Sequence, residues 1–101
     1  MPVLYFRVTK VERSPTGELI ILPCALKHGV TQESIECAWD NFVEMCFRGT
    51  PNEGEVVVIG YDRQGRPIEI IAAERPFGIV VYHANTPPSA SVLIELGLAG
   101  R

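Results

Sequence analysis

The side chains in this 101-residue sequence best suited to moving protons or holding anions are the Lys27-His28 pair, the Asp62-Arg63-Gln64-Gly65-Arg66 turn, Glu69 and His83. Imidazole trades protons near neutrality, which makes His28 and His83 candidates for acid or base. Alternation along a strand at Phe77–Ala84 sets Ile79, Val81 and His83 on one face and Val80, Tyr82 and Ala84 on the other. His83 then ends an apolar row at the rim of a sheet, where the plain alternative is a histidine hydrogen-bonded to backbone. Glu69 lies between Ile68 and Ile70 and shares a face with Ile71. A carboxylate among apolar neighbours can serve as a general base, or can simply mark the solvent face of a half-exposed strand. Arg63 and Arg66 bracket one turn and could grip a phosphate with forked hydrogen bonds. Charged hairpin tips also serve solubility. Lys27 and His28 fall at the end of a short helix, where positive charge offsets the helix dipole.

Other chemistries find less support. Cys24 and His28 at i, i+4, taken with Cys37 and His83, match no zinc-ligand spacing, so neither metal nor cofactor is expected. A phosphate-binding glycine loop and a serine nucleophile elbow are both missing from the sequence. Three cysteines, with no Cys-x-x-Cys pair, read as buried free thiols in a reducing compartment. The apolar runs are too short to span a membrane, and a cytoplasmic protein is expected.

The elements that must position these residues follow from periodicity. Val3–Val11 alternates as a half-buried strand, and Ser14-Pro15-Thr16-Gly17 reads as a turn, after which Leu19–Leu22 could pair back as a hairpin. A helix of under two turns is expected over Pro23–His28, ended by Gly29. Thr31 suits the N-cap of a second helix, with Ile35, Ala38, Trp39 and Phe42 forming one buried stripe at i, i+3, i+4, i+7. Met45-Cys46-Phe47 begins a strand and Arg48–Gly54 is a loop. Glu55–Tyr61, Pro67–Ala73 and Phe77–Ala84 form an antiparallel meander, and a helix over Ser89–Leu96 closes at Gly97.

The fold class expected is therefore α+β in one domain over 1–101: two short N-terminal helices, an antiparallel three- to five-stranded meander sheet and a C-terminal helix. With 47% apolar and 21% charged residues the chain can bury a core of its own. A net charge of −3 argues against a broad basic surface, so any nucleic-acid contact must be local.

The run Ala25-Leu26-Lys27-His28-Gly29-Val30-Thr31, followed by a helix from Gln32-Glu33-Ser34-Ile35, resembles the KHGV-type opening of BrnT-like proteins, within the wider RelE/ParE-like group of bacterial toxins. Gly60-Tyr61-Asp62-Arg63-Gln64-Gly65-Arg66-Pro67-Ile68-Glu69, a strand ending Tyr82-His83-Ala84 and a closing helix are similar in order. The likeness covers about residues 19–98 and leaves 1–18 as an N-terminal strand extension that covers a sheet edge or mediates pairing, as in a homodimer. The resemblance implies a toxin that cleaves messenger RNA, without a metal, and that a partner antitoxin holds inactive. It implies a catalytic set of His28, Arg66, Glu69 and His83, with Lys27 and Arg63 binding RNA. The acidic balance, and His83-Ala84-Asn85 where the family usually carries arginines, motivate a second expectation: a non-catalytic domain of the same fold acting through a sheet edge or a partner.

Overall fold

The computed structural model describes residues 19–98; the expected strand at Val3–Val11 and the turn at Ser14–Gly17 lie outside them. Its elements run β1 (Leu19–Ile21), a 3-10 turn (Pro23–Leu26), α1 (Gln32–Asp40), β2 (Phe42–Phe47), β3 (Glu55–Tyr61), β4 (Pro67–Arg75), β5 (Gly78–Asn85) and α2 (Ala90–Glu95). The class is α+β, with two helices on a five-stranded mixed sheet of order β1-β5-β4-β3-β2.

Strands β2 to β5 form the antiparallel meander that their short connections require. The sheet as a whole is not antiparallel, however. β1 runs parallel to β5, with Leu19 opposite Ile79 and Ile21 opposite Val81. A parallel neighbour needs a long crossover, and here everything from the 3-10 turn to β4 supplies it. Local pattern could not reveal that pairing, because its partners are about sixty residues apart in sequence.

The expected first helix is a four-residue 3-10 turn that Pro23 opens and Lys27 ends, so Lys27 and His28 sit in a turn and not in an α-helix. α1 begins as its sequence dictates: Thr31 Oγ1 accepts from Ser34 N–H at 3.1 Å and satisfies one of the free first-turn donors. It ends earlier than its apolar stripe suggests, at Asp40. Phe42 belongs to β2, opposite Gly60.

α1 buries Ile35, Ala38 and Trp39 against Val56, Val58, Ile68, Ile70 and Val81 on one face of the sheet. On the other face α2 sets Val92, Leu93 and Leu96 over Val57, Ile59 and Ile71. Because both faces are covered, β3 reads Val-Val-Val-Ile without a polar alternate and is buried throughout that run. The far end of α2 is tied to the sheet by Arg48, whose guanidinium donates to Glu95 at 2.8 and 2.9 Å and to Glu55 at 2.8 Å. Hydrogen bonds from Tyr82 and then Arg48 hold the Glu55 carboxyl below its ordinary range, and Arg48 does the same for Glu95.

One irregularity decides which way the candidate histidine points. Ile71 pairs with His83 but Ala72 pairs with Val81, leaving Tyr82 as an extra residue in β5. Such a bulge reverses the alternation beyond it. Ile79, Val81 and Ala84 all enter the core under α1, so His83 faces the α2 side, opposite to the face that unbroken alternation assigns it.

The closest approach of helix to sheet is at Gly60. A Cβ there would lie 1.9 Å from Ala38 O and 2.7 Å from its carbonyl carbon, both backbone atoms that cannot swing aside. Gly60→Ala should therefore destabilise the fold by about 2–4 kcal/mol, at or above the usual range for overpacking. Urea denaturation, with the midpoint moving down at constant slope, would measure it.

Candidate functional site

Glu69 is the centre of the site. The residues on either side of it in β4, Ile68 and Ile70, enter the core under α1, so its side chain passes to the α2 face, where it is only 3% exposed. It does not mark a solvent face. Burying a carboxylate without partners would cost several kcal/mol, of the order of 5. Three hydrogen-bond partners satisfy it. His83 Nε2 lies 2.5 Å from Oε2, and the Ser89 backbone N–H and hydroxyl donate to Oε1 at 2.7 and 2.9 Å.

Each partner arrives for a local reason. His83 stands two residues along β5 from Asn85, the residue opposite Glu69, and the bulge at Tyr82 turns it to the carboxylate's face. Ser89 is the N-cap of α2, and its Oγ also accepts from Val92 N–H at 3.4 Å. The connecting segment is fixed to the start of β4 by Thr86 Oγ1, which donates to Pro67 O at 2.7 Å. His28 comes from a third segment, the turn after Leu26, and packs edge-on to His83 with ring centroids 5.4 Å apart.

His28, Glu69 and His83 thus converge from three separate stretches of chain. Arg66 is bound elsewhere: its Nε donates to Asp62 Oδ2 at 2.8 Å. Asp62 organises the β3–β4 turn as well, since its Oδ1 accepts from the backbone N–H of Gln64 and of Arg66, each at 2.9 Å, with Gly65 at φ 79° closing the turn. Burial would push the Asp62 carboxyl up, but these bonds together outweigh it and hold the group below its ordinary range. Arg63 is exposed and lies 3.7 Å from Glu33, a surface pair worth little. Lys27 is exposed beside His28. Arg63 and Arg66 line a cleft of about 270 Å³ together with Thr31, Ser34 and Cys37 along the first two turns of α1.

The cysteines are free but not buried: Cys24 is exposed and donates to Tyr82 O, while Cys37 and Cys46 are half-buried. Among the described residues no three His, Cys, Asp or Glu side chains are grouped to hold a metal ion, and no helix is long and apolar enough to cross a membrane. Residue types alone passed over Ser89 and Asp62. A serine before a helix and an aspartate opening a glycine turn already have structural reasons to be there, so their second partners stay hidden until the fold closes.

The chemistry open to this arrangement is proton transfer. Glu69 engages Nε2 of His83, and the second imidazole lies alongside.

The Asp62 tether predicts an acid sensitivity. A carboxyl whose folded value is depressed stabilises the native state above its unfolded value, here the ordinary 3.8, and that contribution is lost as pH falls through the folded value. Thermal melts should therefore show Asp62→Asn less stable than wild type at pH 6, with the difference narrowing below about pH 3.5. A constant difference down to pH 2 would rule out the tether as its source. No protein-family model matches this chain, and neither a curated protein nor a solved structure does.

Proposed function

We propose that the chain is an endoribonuclease of the RelE/BrnT toxin type, which cleaves messenger RNA by side-chain acid–base chemistry in the cytoplasm and is held inactive by a partner antitoxin. The observation that carries this reading is the pairing of two imidazoles, 5.4 Å between centroids, one of them anchored by a buried carboxylate. In this reading the β2–β5 meander, with α1 on one face and α2 on the other, corresponds to the RelE/BrnT-like arrangement, and the order of elements supports it.

Cleavage of an RNA strand needs one group to take a proton from the ribose 2′-hydroxyl and another to give one to the departing 5′-oxygen. His83, oriented by Glu69, takes the first proton as the 2′-oxygen attacks the neighbouring phosphorus. His28 supplies the second as the P–O5′ bond breaks, leaving a 2′,3′-cyclic phosphate and a 5′-hydroxyl. Glu69 does not touch the substrate, since both its oxygens are engaged within the protein. It fixes the His83 ring and balances the imidazolium that forms. Lys27 beside His28 faces the reacting phosphate, and Arg63 and Arg66 at the turn contact flanking phosphates. So few cations make the contact local, in keeping with a net charge of −3.

A second reading has one observation in its favour. β2 is the outermost described strand on its side of the sheet and leaves Val43 55% exposed, a place where a partner strand or a second copy could add on without any catalysis.

The two readings separate on purified protein with a short RNA and the same strand carrying 2′-deoxyribose throughout. The ribonuclease reading expects cleavage of the RNA alone, cyclic phosphate ends, and losses of about 10²–10⁴-fold in His28→Ala and His83→Ala. Arg66→Ala should lose about tenfold or less, mainly in KM. Intact RNA with folded protein, together with partner binding that Val43→Lys abolishes, would transfer the assignment to the binding domain.

A further inference from the structure

We propose that Ser89 is a positioning residue of this site: by donating twice to one oxygen of Glu69 it fixes the carboxylate so that the other oxygen selects the Nε2–H tautomer of His83. A hydroxyl has one proton and two lone pairs. In Ser89 the proton goes to Glu69 Oε1 at 2.9 Å, a lone pair accepts from Val92 N–H at 3.4 Å, and the residue's own N–H reaches the same Oε1 at 2.7 Å. The terminal torsion of a glutamate is broad and nearly two-fold, so without external contacts the carboxylate plane is loosely set. Two donors from one residue set it. Oε2 is then left facing His83 Nε2 at 2.5 Å, and an ionised carboxylate there can only accept, so Nε2 carries the hydrogen and Nδ1 is the basic nitrogen.

Beyond the helix cap this gives Ser89 a chemical role, because a serine that only capped α2 would not alter the tautomer of a ring on β5. The consequence for turnover rests on the ribonuclease reading, whereas the consequence for the tautomer rests on the geometry alone.

Glycine is a fair N-cap and retains the backbone N–H, so Ser89→Gly removes the hydroxyl donor while sparing most of the cap. Ser89→Thr keeps both. Long-range proton–nitrogen spectra of the imidazole at a pH where His83 is neutral should show nearly pure Nε2–H in wild type and Ser89→Thr. In Ser89→Gly they should show a mixture with at least about a fifth of the other tautomer, and kcat on RNA should fall about tenfold with KM within twofold. A changed tautomer in a protein that cuts no RNA would support Ser89's role and remove the ribonuclease reading. An unchanged tautomer in folded Ser89→Gly would overturn the proposal whatever the activity. Should that variant not fold, hydrogen exchange in the wild type decides. The Ser89 amide should exchange about tenfold or more slowly relative to Ser91, the second residue of the helix, and equal rates would overturn it.

Discussion

A buried carboxylate is the constraint around which one half of this molecule is arranged. Burying the Glu69 carboxyl group is costly unless its oxygens find hydrogen-bond partners, and the structure supplies three, from a strand neighbour and from the residue that caps the last helix. Meeting that demand fixes the relative position of β4 and β5, the entry of α2 and the direction of His83 in a single step. Removing any one partner would leave a buried carboxylate that the others no longer fully satisfy, which is why such networks are specific and intolerant of partial change.

The opposite end of α2 is held by a second polar contact, Arg48 with Glu55 and Glu95, so the six-residue helix is tied at both ends while Val92 and Leu93 pack between them on the sheet. Tyr82 joins this second network. Burial and then its bond to Glu55 push its phenol up to about 12, so it stays protonated and donating over the whole physiological range. The bulged residue of β5 thus serves the far network while re-aiming its neighbour into the near one.

Much of the fold could be read locally. β3, β4, β5, α1 and α2 can be read from local pattern, Thr31 caps where the sequence places it, and the helix expected from Ser89 begins one residue later with Ser89 as its cap. Two features could not be read that way. The parallel β1–β5 pair depends on segments about sixty residues apart, and the short Leu19–Ile21 run has no pattern that distinguishes a parallel partner from a hairpin. The bulge at Tyr82 adds one residue to a strand whose run Ile79-Val80-Val81-Tyr82 carries no mark of it, so a regular two-residue period places His83 on the wrong face. Among the site residues, types identified Glu69, His83 and His28 one at a time, and only topology unites them. Residue type offers Arg66 as a phosphate clamp or as a solubilising hairpin charge, and gives no sign of its tether, because Asp62 has the look of ordinary turn chemistry.

The Glu69–His83 contact is the part of the structure on which the proposed ribonuclease most directly depends. Induced expression of the chain in bacteria, with bulk messenger RNA followed over the first minutes, compares wild type with Glu69→Gln, which keeps the shape and an acceptor for Ser89 but lacks the charge. A ribonuclease that depends on this contact should give growth arrest and loss of messenger RNA with wild type, and relief of both with folded Glu69→Gln. Equal arrest from both chains, or unimpaired growth with soluble wild-type protein, would contradict it.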